Sequence, residues 1–199
     1  MKSENNNIGA KIKNVLGEHK GAIYQTHTWG GEVLNNGIRG IERRSHILLC
    51  DLKDKCVLDL GCATGSECIW ALESGAKGVV GIEAGESQVK TFRKIIDSFG
   101  EALRGRAFVC HRDLKNALPI IPLNIDTVFC FSITHHINYR KIWLEVKNAK
   151  VVYVEGGADS NYTEKSLSDK TFDAKFICFV ENNSVDKSGK RPLFRLVRK

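Results

Sequence analysis

Three short stretches hold residue types at spacings that can do chemistry. Asp59-Leu60-Gly61-Cys62-Ala63-Thr64-Gly65 puts two glycines around a tight turn, where backbone can approach a ligand that a Cβ would repel. The spacing is GxxxG, neither the GxGxxG of dinucleotide sites nor the Gly-Lys-Ser/Thr ending of a phosphate loop, which disfavours a pyrophosphate cofactor. Glu83, in Ile82-Glu83-Ala84-Gly85 about twenty residues further on, stands where an acid reads a ribose diol in nucleoside-binding α/β folds. A carboxylate accepts two hydroxyl hydrogen bonds in one plane, although a strand-end glutamate facing solvent fits the same pattern. His135 and His136 bring two imidazoles, the side chain that exchanges protons nearest neutrality. They suit removal of a proton or contact with an acceptor, and one of them equally suits a helix cap or core packing.

These residues need elements to position them. Cys56 to Leu60, Gly78 to Glu83, Ala107 to His111, Thr127 to Phe131 and Val151 to Glu155 are apolar runs of strand type. Arg39 to Leu49, Thr64 to Ser74, Glu86 to Phe99 and Tyr139 to Asn148 have helical spacing, the second with Thr64 as cap and Gly75 as stop. Phe176 to Val180 and Leu193 to Val197 flank a turn-rich segment and predict an antiparallel hairpin. Strands apolar at nearly every residue, alternating with helices, indicate a mostly parallel sheet covered on both faces, a doubly wound three-layer α/β/α fold. Ligands of such sheets bind at the carboxyl ends of the strands, which is where all three stretches fall. A polar, Gly-rich N-terminal extension, 1–37, precedes the domain at 38–199.

Val57–Gly65 (VLDLGCATG) followed by Val79–Gly85 (VVGIEAG) resembles the first two motifs of class I S-adenosylmethionine-dependent methyltransferases, and Asp126–Ile137 (DTVFCFSITHHI) is similar to their fourth-strand motif. One departure is Cys62-Ala63, where the family more often has Cys-Gly. The resemblance implies a seven-stranded sheet with an antiparallel last strand, and S-adenosylmethionine as cofactor. It implies that Asp59, Gly61 and Gly65, with Cys62 and Ala63 between them, line the methionyl part. Glu83, with Ala84, would hold the ribose, and Asp113, with Leu114, would meet the adenine. Phe131 and Ser132 would lie beside the sulfonium. Asp113 reads equally as a helix N-cap, and Phe131 equally as core. His135 and His136 become the candidate catalytic residues. In related enzymes an extension such as Tyr24–Gly31 folds over cofactor and acceptor, which makes residues 1–37 a candidate lid. Tyr24 and Trp29 also suit a plain anchor. Other users of the cofactor, aminopropyl or carboxymethyl transferases, stay open, the latter needing a cation such as Arg112 or Arg140. A silent binding protein of the same fold also stays open.

Composition sets the remaining bounds. The 199 residues carry a formal net charge of +7. Residues 1–20 hold four basic and two acidic side chains and residues 185–199 six basic and one acidic, so the body between them is neutral. Basic ends favour an RNA acceptor, tRNA among them, marginally over a small molecule, although solvated termini have the same composition. Seven cysteines form no CxxC pair and there is no HExxH, so nothing points to a metal, and an odd count suits free thiols. No apolar run approaches a membrane span and the start lacks a signal-peptide stretch, which predicts a cytoplasmic protein with no membrane partner. Exposed Arg43 and Arg44 on the Arg39–Leu49 helix are candidates for pairing with an acidic or phosphate-bearing acceptor.

Overall fold

Side chains leave a strand alternately on its two faces, so a strand apolar throughout must be covered on both. In the computed structural model, which describes residues 2–103, 105–115, 124–133, 148–157, 160–181 and 190–199 without the side chains of 2–6, the apolar runs behave in this way. β3 (Cys56–Leu60), β6 (Thr127–Phe131) and β7 (Val151–Glu155) are buried at every residue. With β4 (Gly78–Glu83), β5 (Ala107–His111), β8 (Phe172–Glu181) and β9 (Lys190–Arg198) they form a seven-stranded sheet in the order β5-β4-β3-β6-β7-β9-β8. β3 pairs parallel to β4 and β6 in register Val57↔Val79 and Val57↔Thr127. β9 runs antiparallel to both β7 and β8, so it alone opposes the other six strands.

One face carries Val57, Val79, Phe129 and Tyr153 against α2 (Ser66–Glu73) and α3 (Glu86–Ser98), through Ile69, Leu72, Phe92 and Ile95. The other face carries Leu58, Leu60, Val80, Ile82, Cys130 and Val152, packed with Leu114, Ile125 and Leu167, the last from α4 (Glu164–Leu167). Asp59, by alternation, falls on the α2 side. Among the described residues no helix is long and apolar enough to cross a membrane.

Several local expectations are corrected. The N-terminal stretch opens with a helix, α1 (Lys2–Gly17), whose Ile12 and Leu16 enter the first core and whose end is tied to α3 by His19 Nδ1 and Thr91 Oγ1 at 2.7 Å. A small hairpin, β1 (His27–Trp29) and β2 (Glu32–Asn35), follows it. Arg39 to Leu49 is not one helix: it holds short 3-10 turns at Glu42–His46 and Leu49–Asp51. Thr64 does not cap α2, whose N-cap is Gly65 in the left-handed region at φ +86°. The hairpin strands are longer than expected because their pairing continues from Phe172↔Arg198 to Glu181↔Lys190. The helix expected at Tyr139 to Asn148 lies, except for its last residue, outside the described residues.

A buried carboxylate locks the turn before β3 to three strands. Asp51 Oδ2 accepts from Tyr153 Oη at 2.6 Å and from Arg195 Nε at 2.7 Å, Asp51 Oδ1 accepts from Arg195 Nη2 at 2.9 Å, and its carbonyl accepts from Thr127 Oγ1 at 2.6 Å. Burial alone would raise this carboxyl, but the hydrogen bonds from Arg195 and Tyr153 outweigh it and hold the group below the ordinary aspartate value. Replacement Asp51→Asn is expected to lower unfolding free energy by about 2 kcal/mol and Tyr153→Phe by about 1 kcal/mol, read by urea denaturation. Equal stability of all three proteins would show that the turn is held by packing alone.

Candidate active site

The strand order turns back between β3 and β6, and the loops beyond their carboxyl ends meet there. After β3 the chain reverses at once, with φ of +72° at Gly61, +47° at Ala63 and +86° at Gly65. A Cβ on Gly61 would lie 2.5 Å from Ile133 Cδ1 just past β6, and one on Gly65 would enter the Phe92 ring. Both glycines are therefore required by backbone and by packing. Ala63 holds its left-handed geometry with help: its N–H donates to Glu83 Oε2 at 2.9 Å, while the Gly85 N–H donates to Glu83 Oε1 at 2.7 Å. One carboxylate thus staples the loop after β3 to the loop after β4. Of its roughly four acceptor positions, about two stay open.

The other expected site residues fall as follows. Cys62 is buried with its Sγ where a Cβ on Gly81 would come within 2.5 Å, so only its backbone can face the loop. Ala84 is exposed, and its carbonyl lies 2.9 Å from His111 Nε2. Asp113 is exposed and accepts from the Lys115 N–H at 2.9 Å, a local turn bond, while Leu114 is buried in the second core. Phe131 is buried, stacked on Phe129 at 4.9 Å. Ser132, at φ +56°, donates through Oγ to Glu155 Oε1 at 2.5 Å. The fold thus brings Asp59, Gly61, Cys62, Ala63, Gly65, Glu83, Ala84, Phe131 and Ser132 to one end of the sheet, with Asp113 and Leu114 following the edge strand β5. His135, His136 and Arg140 lie outside the described residues, and Arg112 is exposed.

The sequence reading missed what covers this end of the sheet. Arg43 and Arg44, expected in solvent, are 3% and 7% exposed. Arg43 Nη1 lies 2.6 Å from Glu155 Oε2 and its Nε 3.4 Å from Glu67 Oε1, with its guanidinium carbon 5.0 Å from the Phe131 ring centre. Arg44 Nε lies 3.0 Å from Glu67 Oε2, and its other nitrogens donate to Thr28 Oγ1 and Ser66 Oγ, both at 2.7 Å. Ser66 Oγ in turn donates to the Thr26 carbonyl at 2.5 Å, and His27 Nε2 is hydrogen-bonded to Thr64 Oγ1 at 2.8 Å. Residues 25–44 therefore form a strap pinned to the loop after β3, to the start of α2 and to the end of β7. The only signal in the sequence was carboxylates in apolar settings: Glu155 closing VVYVE and Glu67 inside SECIWAL.

The electrostatics follow from that burial. Arg43 is raised further above its ordinary value: desolvation opposes this, but the charges of Glu155, Glu67 and Asp59 outweigh it. Asp59 is pushed up to about 8 by desolvation first and by Glu67 second, against the pull of Arg43. His27 is pushed down to about 3 by desolvation and by Arg44, so it is neutral at physiological pH.

Comparison with known proteins adds the following. A family described as a methyltransferase domain matches residues 57–157. Among curated proteins no sequence matches. The bifunctional kinase-methyltransferase WbdD superposes with a TM-score of 0.69 at 18% identity, over 94% of this chain and 46% of its own, so the chain spans less than half the length of that protein. Magnesium protoporphyrin IX methyltransferase from Synechocystis, solved with bound S-adenosylmethionine, gives 0.54 at 19% identity over 74% of this chain and 72% of its own. A dimethyladenosine transferase from Plasmodium falciparum gives 0.55 at 18% identity over 76% and 61%. At these identities the likeness is one of fold.

Asp59 and His27 give the stability of the ligand-free protein a distinctive pH profile. A carboxyl raised from 3.8 to about 8 contributes stability that is full below pH 3.8 and lost as pH rises towards 8. An imidazole lowered from 6.5 to about 3 acts in the opposite sense, removing stability as pH falls below 6.5. The two slopes oppose each other below pH 6.5, and above it only that of Asp59 remains. Urea denaturation is expected to show stability falling by about 1 kcal/mol per pH unit between roughly 6.5 and 8, with the slope abolished in Asp59→Asn. A slope that persists in that variant would contradict the assignment.

Proposed function

The chain belongs to the family of methyltransferase domains, and from that premise we propose that it transfers the methyl group of S-adenosylmethionine to a small-molecule acceptor. The observation that carries the reading is the Glu83 staple: a carboxylate with acceptor positions to spare, bonded to the backbone of the loop that the glycines bend. The residues present fit the cofactor. Glu83 can take two ribose hydroxyls without releasing Ala63 or Gly85. Asp59 is buried with the Cys68 thiol, 3.7 Å away, as a hydrogen-bond donor, which leaves it acceptor capacity for a charged amine. In this reading Asp59, Gly61, the backbone of Cys62, Ala63 and Gly65 hold the methionyl part. Glu83 and Ala84 hold the ribose, Asp113 and Leu114 border the adenine, and Phe131 and Ser132 border the sulfur.

When bound, S-adenosylmethionine supplies a methyl carbon already activated by its positive sulfur. The chain's own work is then alignment and exclusion of water, which together can supply several kcal/mol of a displacement barrier. The strap does the excluding, through Thr26, His27, Arg43 and Arg44. Ser132, the residue after β6, is fixed by Glu155, and His135 and His136 follow it by three and four residues in the sequence. Those two histidines are our candidates for taking the acceptor's proton where it carries one.

A small acceptor is favoured by where four of the six basic residues of 185–199 go. Arg195 pairs with Asp51, Arg198 donates to the Ala149 carbonyl and lies over the Phe172 ring, Lys199 lies 3.1 Å from Asp173, and Arg191 is buried 3.9 Å from Glu155. These charges serve the sheet and leave less of a phosphate-binding surface than the composition promises. RNA is the second reading, on one observation: Lys11, Lys13 and Lys20 are exposed on α1 and just past it.

Two measurements test the proposal. Calorimetric titration is expected to give Glu83→Ala an affinity for S-adenosylhomocysteine at least about tenfold below that of the unaltered protein, and equal affinities would remove the ribose assignment. Incubation with methyl-labelled S-adenosylmethionine and either total RNA or a small-molecule extract is expected to label the extract. Label found only in RNA would overturn the small-molecule reading in favour of the second.

A further inference from the structure

A buried hydrogen-bonding atom without a partner destabilises a fold, and among the described residues the strap contains four, Gln25 Oε1, Trp29 Nε1, Asn35 Nδ2 and Arg43 Nε, the last 3.4 Å from Glu67 Oε1. Gln25 is 5% exposed, and its Oε1 has no hydrogen-bond partner among the described residues. Its backbone is extended: Gln25 bridges to Arg39, and β1 begins two residues later at His27. Side chains two apart on extended chain leave on the same face. The face in question is identified by His27, whose ring ends on Thr64 of the loop after β3. The residue between them, Thr26, turns its Oγ1 to the Gly37 N–H instead. Gln25 thus leaves the segment on the same side as His27, whose ring meets Thr64. Trp29 Nε1 and Asn35 Nδ2 are orphaned too, but they belong to the β1–β2 hairpin, where Trp29 packs edge-on to Phe99 and beside Gly9.

We infer that Gln25 is a cofactor-binding residue of the strap, its side-chain carbonyl accepting a hydrogen bond from the ammonium group at the amino-acid end of S-adenosylmethionine. The inference rests on the cofactor reading given above and adds to it the residue and the ligand group. Glu83 ties down the ribose side of the loop at Ala63 and Gly85, so the part of the loop under Gln25 and His27 is its other flank, towards Ser66 and α2. Asp59 lies on the same flank, facing α2, and the two oxygens together suit a group with several N–H donors. A carbonyl left without a donor until ligand arrives is unfavourable to the empty protein and favourable to the complex.

That imbalance gives a signature that a purely structural glutamine lacks. In Gln25→Leu the orphaned acceptor is gone, so the ligand-free protein is expected to unfold at an unchanged or higher urea midpoint. Its affinity for S-adenosylhomocysteine is expected to fall about tenfold by calorimetric titration. Affinity for 5′-methylthioadenosine, which keeps the nucleoside and sulfur but has no amino-acid end, is expected to be unaltered. Gln25→Met serves as the second apolar variant should leucine disturb folding. If the unaltered protein binds both compounds and the variants match it on S-adenosylhomocysteine, or lose equally on both compounds, the assignment of Gln25 is wrong and the cofactor reading stands. If the unaltered protein binds neither, the cofactor reading falls and takes this inference with it.

Discussion

Two arginines from an N-terminal strap cannot be buried beside a parallel sheet unless carboxylates meet them. Removing a guanidinium from water is expensive by several kcal/mol, and an interior pair holds only where geometry and extra hydrogen bonds are good. Here Glu67 takes both arginines and Glu155 takes Arg43, while Thr28 and Ser66 satisfy the remaining donors of Arg44. Everything distinctive about this end of the sheet depends on that arrangement. It fixes the strap over the loop after β3, holds Ser132 through Glu155, and sets Glu67 and Arg43 against each other beside Asp59, which desolvation raises first and Glu67 second. It also ties the segment from Thr26 to Arg44 to the domain by buried hydrogen bonds and ion pairs.

The contrast between what was legible in the sequence and what was not follows the range of the interactions. Strands β3, β4, β6 and β7 announce themselves because burial on both faces demands apolar residues at every position, a purely local mark. Gly61 and Gly65 are legible for a similar reason, since a reversal straight after a strand needs left-handed backbone and leaves no room for a Cβ. Glu83 is legible by its distance from that loop. By contrast the partners of Arg44 and Arg43 are 23 and 112 residues away, in elements whose proximity no local pattern reveals. Two adjacent arginines look solvated until the sheet brings Glu155 beside them.

Side-chain direction is the second thing a sequence hides. Cys62 sits within the loop but turns inward beneath Gly81, and Thr64, a natural helix cap by type, turns to His27 instead. The C-terminal strand was expected, but its basic residues read as open to phosphate or to solvent, whereas Arg195 answers Asp51 and Arg198 the carbonyl of Ala149. Helix α1 went unread: Ile8, Ile12, Val15 and Leu16 stand at helical spacing, but among asparagines, lysines and glycines the stretch reads as a polar extension. For Thr64 and the C-terminal arginines the residue types were plain in the sequence and their partners were not.

The central claim is that one ligand, S-adenosylmethionine, is gripped jointly by the loop after β3, the carboxylate of Glu83 and the strap. Amide hydrogen exchange with and without S-adenosylhomocysteine tests this most directly, because it reports all three segments in one experiment. Joint protection of peptides spanning residues 24–30, 59–66 and 83–86 on ligand addition is the predicted result. Protection confined to other parts of the chain, or absent from the strap while the loop is protected, would contradict it.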